Sequence, residues 1–217
     1  MVNQYAVIGL GRFGLSIATK LFHSGQEVLG VDMNEERVEE AHSFVTHSVI
    51  ADSTDEEALK SVGIRNIETV IVAIGNDIQS SILTVLLLKE LGVKKVIAKA
   101  LSKLHGQVLK KVGADWVVFP ERDMGIRVAQ KLLSPNVLNV IELSKDYSVE
   151  EVKIPKKMTG QSLRELDLRA KFSLTVIAIR HSDEISISPS PDKIIEKGDI
   201  LVVIGENQKL ERFANME

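Results

Sequence analysis

The chain has 217 residues, room for a domain of ordinary size and a small second one. Hydrophobic residues at 44% and charged residues at 26% fit a globular protein that closes a core without cross-links, which excludes long disorder. A formal charge of -3 with interspersed signs leaves no footprint for nucleic acid, and the absence of cysteine removes disulfides, thiolate zinc sites and thiol nucleophiles together.

Met1-Val2-Asn3-Gln4 runs straight into an apolar strand without a basic region or a small-residue cleavage site, so no secretory signal is expected and the cytoplasm is the default location. From there to about Phe119 short apolar runs alternate with longer amphipathic stretches, the pattern of βα units around a parallel sheet. Six strands are expected, over Tyr5–Ile8, Val28–Val31, Ser48–Ala51, Val70–Ala73, Val96–Ala98 and Val117–Phe119. They are mostly continuous and apolar, as strands buried on both faces must be. Thr54 and Glu57 have the spacing of a capping box for a helix over Asp55–Val62, and Ser102 precedes a helix around His105–Val112 that ends at Gly113. The longest apolar run, Ile82 to Leu88 with Thr84 inside it, falls far short of the ~20 residues that span a bilayer. Any membrane role must therefore come through a partner.

After Pro120 a helix is expected from about Asp123 to Leu133, stopped by Ser134-Pro135-Asn136. Its apolar residues Met124, Ile126, Val128, Ala129, Leu132 and Leu133 cover roughly twice the ~100° stripe of an ordinary surface helix. Such an arc calls for a second packing partner, either the other lobe or another subunit. From Val137 onward the runs are shorter and β-like, with two short helices near Ser162–Leu166 and Gln208–Asn215. The expected fold class is α/β, a doubly wound parallel Rossmann-type sheet followed by a smaller α+β lobe. The expected divisions are a nucleotide-binding lobe over 1–121, a crossover helix and linker over 122–136, and a regulatory lobe over 137–217.

The chemistry concentrates at Gly9-Leu10-Gly11-Arg12-Phe13-Gly14, in the first turn from strand to helix. Gly9 permits the tight turn, Gly11 lets backbone approach a pyrophosphate, Gly14 lets the helix lie close to the sheet, and the helix N-terminus offers free amides and a positive dipole. Asp32 ends the second strand, where a carboxylate binds ribose hydroxyls and repels a 2′-phosphate. This disfavours NADP and leaves NAD, ATP and ADP open. The rest of the pocket is expected where the other strands end, at Asp52-Ser53, Ile74-Gly75-Asn76, Lys99 and His105. Arg12 departs from a plain dehydrogenase turn by placing a guanidinium beside the phosphates, which makes a di- or triphosphate attractive. Glu121 reaches the same rim as an oxygen ligand for a hard cation such as magnesium, or as a helix-start acid. No metalloprotease helix, nucleophile elbow or Walker lysine loop is present, so no catalytic residue is named. His181 is expected on a turn.

Over essentially its whole length the chain resembles the regulator-of-potassium-conductance subunits of bacterial Ktr/Trk-type transporters. The resemblance rests on the run Tyr5 to Gly14, on Val70-Ile71-Val72-Ala73-Ile74-Gly75, on Leu86-Leu87-Leu88-Lys89-Glu90-Leu91, on Pro120-Glu121-Arg122-Asp123-Met124-Gly125, and on Asp167-Leu168-Arg169-Ala170-Lys171. It implies a non-enzymatic gating subunit, cytoplasmic and peripheral to the membrane, whose dimers assemble into an octameric ring beneath an integral membrane potassium-translocating subunit. ATP or ADP would sit in each nucleotide-binding lobe. Arg12 would contact the phosphates, Asp32, Met33 and Asn34 the ribose and nearby groups, and Asp52, Ser53, Ile74, Gly75, Asn76, Lys99, Ala100 and His105 the remaining pocket. Glu121 would help hold a divalent or monovalent cation at the dimer interface, and the apolar helix after it would be the dimer-forming crossover helix. The second lobe is similar to those that bind cyclic di-AMP at a two-fold interface through Arg169, Ala170 and Lys171, with His181 and Pro189 nearby. Here the sequence departs from the family: Phe172-Ser173 replaces the common Tyr-Gly, and Thr175 stands where some members carry asparagine. The rival class, an NAD-dependent oxidoreductase or an NAD(H)-responsive redox sensor, shares Gly9, Gly11, Gly14 and Asp32.

Overall fold

The computed structural model describes residues 2–134 and 136–216. Met1, and Pro135 of the expected helix stop, lie outside the described residues. The chain forms two compact units, Met1–Met124 and Gly125–Glu217.

In the first unit, strands β1 (Gln4–Ile8), β2 (Glu27–Asp32), β3 (His47–Ile50), β4 (Thr69–Val72), β5 (Lys95–Lys99) and β6 (Trp116–Val118) form one parallel sheet in the order β3-β2-β1-β4-β5-β6. Helices α1 (Arg12–His23), α2 (Glu35–Ala41), α3 (Glu56–Ser61), α4 (Ile78–Glu90) and α5 (Lys103–Lys111) connect successive strands. Winding reverses between β1 and β4, so a crevice opens at their C-terminal ends. The central strands are buried on both faces. Ala6 and Ile8 pack with Val72, Leu88 and Val96 in one core, and Val7 with Ala18, Val28 and Ile71 in the other. Period-two side-chain alternation thus feeds two cores from one strand, and each buried leucine contributes about 1.5–3 kcal/mol relative to exposure.

The helix starts follow sequence chemistry, with one correction. Asp77 and Ser102 cap α4 and α5 by accepting from the backbone N–H of Ser80 and His105. The Thr54–Glu57 capping box does not form; Asp55 is the cap of α3 and accepts from Glu57 N–H at 2.9 Å. Thr54 instead donates both its N–H and its hydroxyl to Asp52, at 2.8 and 2.7 Å. A carboxylate is the stronger acceptor, so the aspartates take the loop donors and the threonine is left to donate.

Helix α6 (Pro120–Leu133) begins three residues before the expected Asp123. Proline suits a first helical position, because the N–H it lacks has no partner there, and Asp123 N–H closes the first turn on Phe119 O at 2.9 Å. None of its residues is buried, and Leu132 and Leu133 are 75% and 78% exposed.

In the second unit, β7 (Val137–Glu142), β8 (Tyr147–Lys153), β9 (Thr175–His181), β10 (Glu184–Ile187) and β11 (Ile200–Glu206) form an antiparallel sheet in the order β10-β9-β11-β8-β7. Along β11, Leu201, Val203 and Gly205 are buried while their neighbours are not, the signature of a sheet covered on one face. Leu210 and Phe213 of α9 (Asn207–Ala214) join that core, with Phe172 edge-on to Phe213 at 5.5 Å. Two short helices, α7 (Leu163–Leu166) and α8 (Leu168–Phe172), meet at Asp167, whose left-handed φ of 44° turns the chain between them. Helix α8 was not expected from the sequence, because five residues carry too little periodicity to register. His181 is the last residue of β9, paired with Glu184 across the hairpin, rather than on the turn.

Candidate functional site

The glycine turn joins β1 to α1 at the switch point, and its three glycines differ in what requires them. Gly9 has φ +93°, and a Cβ on it would lie 3.0 Å from the backbone of Ala73 and Ile74, at the end of β4. A Cβ on Gly14 would fall on the carbonyl oxygen of Gly9. Both are therefore demanded by the fold. Gly11 has ordinary φ and ψ of -68° and -178°, and a Cβ there would meet nothing within 4 Å. Nothing within the chain accounts for it, and it lies at the N-cap of α1, which has neither a side-chain cap nor an acid in its first turn. Helices α2 to α5 are each closed by a side chain; α1 leaves its amides and dipole to the crevice.

Asp32 is buried at the end of β2 and ties the turn to it: Oδ2 accepts from Leu10 N–H at 2.7 Å and Oδ1 from Asn34 N–H at 2.9 Å. An ionised carboxylate has about four acceptor sites, so capacity remains for ribose hydroxyls. Asn34 spends its side chain on capping α2, accepting from Arg37 N–H at 3.0 Å, and Met33 is exposed. Arg37, which sequence reasoning missed, holds a guanidinium nitrogen 3.5 Å from Asp32 Oδ2. Its position early in the helix after β2 was the available signal.

On the other side of the crevice Lys99, at the end of β5, pairs with Glu121 of α6 at 2.6 Å and sits 5.7 Å from the centre of the Phe13 ring. The Lys99 hydrogen bond, aided by the charges of Lys99 and Arg12, holds the Glu121 carboxyl below its ordinary range. Arg12 is exposed. Among the described residues no three acidic or histidine side chains are grouped to hold a metal. With one carboxylate here, half engaged by Lys99, a hard cation needs further oxygens, such as nucleotide phosphates.

The remaining expected pocket residues divide. Ile74 and Gly75 are half-buried and Asn76 exposed on the loop after β4, while Ala100 is buried with its N–H bound to Val118 O. Asp52 turns to Thr54, and Ser53 is buried with its hydroxyl 2.8 Å from that of Thr84. His105 is 3% exposed. Its Nδ1 accepts from Leu101 N–H at 3.3 Å, which leaves the proton on Nε2, a buried donor with no partner among the described residues. Burial pushes this imidazole down from its ordinary pKa, so it is neutral near pH 7. In the second unit Arg169 is exposed on α8, while Lys171 donates to the carbonyl oxygens of Leu166 and Glu165 at 2.9 and 3.3 Å, closing α7. His181 Nδ1 lies 2.6 Å from buried Asp199, and Pro189 is half-buried.

Fold and glycine turn together define a Rossmann-type nucleotide-binding lobe joined to a small α+β module. The TrkA-N domain matches residues 5–120 and the TrkA-C domain residues 149–216. The chain is 50% identical to the Ktr system potassium uptake protein A of Bacillus subtilis (strain 168) over 213 residues, 98% of this chain and 96% of that one. It therefore belongs to the family of Ktr/Trk-type potassium transporter regulatory subunits. Among solved structures, the GsuK RCK domain is similar with a TM-score of 0.67 at 17% identity, covering 100% of this chain and 48% of that one. The GsuK channel bound to NAD is similar with a TM-score of 0.54 at 25% identity, covering 97% of this chain and 38% of that one. This chain thus spans less than half of those longer ones.

The different reasons for the glycines give a stability test. Gly14→Ala is expected to cost about 3 kcal/mol, the upper end for overpacking because its Cβ falls on backbone, whereas Gly11→Ala loses only the N-cap preference for glycine, about 0.5–1 kcal/mol. Denaturant unfolding measures both; equal losses would show that Gly11 is also held by the fold.

Proposed function

We propose that the crevice of the first unit binds ATP or ADP, and that exchange of the nucleotide controls an integral membrane potassium-translocating partner. The observation that carries the reading is Gly11: open space above a glycine that the fold does not require, at an uncapped helix N-terminus. A phosphate chain fits that space because backbone amides and the helix dipole face it. Arg12, exposed beside it, adds a charge-assisted bond to a terminal phosphate, and Asp32 presents spare acceptor sites to a ribose. A divalent cation such as magnesium would join Glu121 to phosphate oxygens. NAD is the second reading, supported by the similarity to the GsuK channel bound to NAD.

In this reading the subunit is cytoplasmic and reaches the membrane only through its partner; among the described residues no helix is long and apolar enough to cross a bilayer. The exposed face of α6 supports a homo-oligomer, dimers built on this helix assembling into an octameric ring. Nucleotide exchange acts on the partner because the partner binds two shapes of the ring with different affinity. We also propose cyclic di-AMP as a ligand of the second unit. Support is narrower there: of the segment Arg169-Ala170-Lys171, only Arg169 is a cation without a carboxylate or carbonyl partner among the described residues.

Arg12→Ala is expected to weaken ATP more than AMP, by roughly 1–3 kcal/mol for a lost charge-assisted bond. Asp32→Ala, acting at the shared ribose, is expected to weaken ATP, ADP and NAD alike, with denaturant unfolding measured beside it because the change also frees the Leu10 and Asn34 N–H groups. Calorimetry with and without magnesium reads both variants. NAD binding that exceeds ATP and survives Arg12→Ala would replace this reading with the nicotinamide one.

Sedimentation of the purified chain is expected to show an oligomer larger than a dimer, which Val128→Asp reduces; a monomer at micromolar concentration would remove the ring. Calorimetry with cyclic di-AMP is expected to show binding that Arg169→Ala weakens roughly tenfold or more. No heat from an intact oligomer would count against the second ligand.

A further inference from the structure

Lys99 and Glu121 are unequal partners. The lysine side chain is 10% exposed and the glutamate 67%. Among the described residues Glu121 is the one hydrogen-bond acceptor of the ammonium, at 2.6 Å. An ammonium carries three donor hydrogens, so a nearly buried cation stands with two of them uncommitted. The same nitrogen lies 5.7 Å from the Phe13 ring centre and 3.5 Å from where a Cβ on Gly75 would be. It therefore sits where the Phe13 side chain of the glycine turn, the loop after β4 and the start of α6 meet.

We propose that the Lys99–Glu121 pair is an exchangeable latch, in which the terminal phosphate of a nucleoside di- or triphosphate takes Lys99 from Glu121 and leaves the α6 carboxylate unpaired. This rests on the nucleotide reading above. The asymmetry of burial makes the exchange inexpensive. Glu121 is open to water, which solvates its carboxylate once the pair parts, whereas the enclosed ammonium needs an anion and gains one of higher charge. A phosphate group offers three acceptor oxygens to the uncommitted donors, where Glu121 uses one. AMP, its one phosphate held by the helix N-terminus, leaves the pair closed.

The consequence lies at α6, the helix by which the chain leaves the first unit. Glu121 is its second residue, an acid in the first turn where negative charge is favoured. With the pair closed its charge is offset by Lys99; with the pair open it is a free carboxylate that takes up a cation. The number of phosphates on the nucleotide is thereby converted into the charge at the start of α6. Arg12, exposed and outside the pair, contributes affinity for phosphate without this switching.

Crystal structures of the full chain with AMP, ADP and ATP test the latch directly. The expected result is a Lys99–Glu121 pair intact with AMP and broken with ADP or ATP, Lys99 then lying on a phosphate oxygen. In parallel, calorimetry of Lys99→Gln is expected to show ADP and ATP weakened roughly tenfold or more with AMP within about twofold, and Lys99→Arg to recover most of the loss. A bound ADP or ATP beside an unbroken pair overturns the latch and leaves the nucleotide reading standing. Equal weakening of AMP by Lys99→Gln, or no recovery by arginine, also overturns it by reducing Lys99 to a structural support. Absence of any nucleotide binding removes the reading and the latch together.

Discussion

The contact of α1 with the glycine turn is the constraint on which the crevice depends. With no side chain at Gly14, the first turn of α1 rests on the Gly9 carbonyl, and with none at Gly9 the turn rests on the end of β4. The Leu10 N–H then reaches the buried Asp32 at 2.7 Å, so β1, β2, β4 and α1 are fixed around one point. A helix held so closely cannot tilt its N-terminus away, and its unclaimed amides stay aimed at the switch point. Asp32, expected from the sequence as a ribose ligand, thus also holds the glycine turn in place.

Charge in the crevice is arranged in two tiers. Arg12 is exposed and free to meet whatever anion arrives, while Lys99 is enclosed and already neutralised by Glu121. An enclosed cation without an anion is costly, so Glu121 is first the anion that Lys99 requires. That requirement also explains why its carboxyl titrates low. In the proposed latch a phosphate would compete for the same lysine, and Glu121 lies on the helix that leads out of the unit.

The two units bury apolar surface in different ways. The parallel sheet is covered on both faces, and its central strand β1 buries three successive apolar residues, Ala6, Val7 and Ile8. The antiparallel sheet of the second unit is covered on one face and alternates, with Phe172 and Phe213 closing its core beside α8. Helix α6 carries an apolar arc of which no residue is buried.

The sequence by itself determined the strand order's raw material: six apolar runs at βα spacing, the glycine turn and Asp32, because hydrophobic periodicity and glycine geometry act over a few residues. It also marked the width of the α6 arc and the small second lobe. Local spacing was a poor guide where two acceptors compete for one donor, so Thr54 was expected as a cap and Asp55 took the role. It was blind to α8, set off by the left-handed Asp167, and to the commitments of Ser53 to Thr84, Lys171 to α7 and His181 to Asp199. Above all it could place Lys99 and Glu121 only at one rim. That they form an ion pair, one partner enclosed and the other in water, was decided by the tertiary structure, because burial and hydrogen-bond geometry arise only when a strand end and a helix start whose residues lie 22 apart in sequence are brought together.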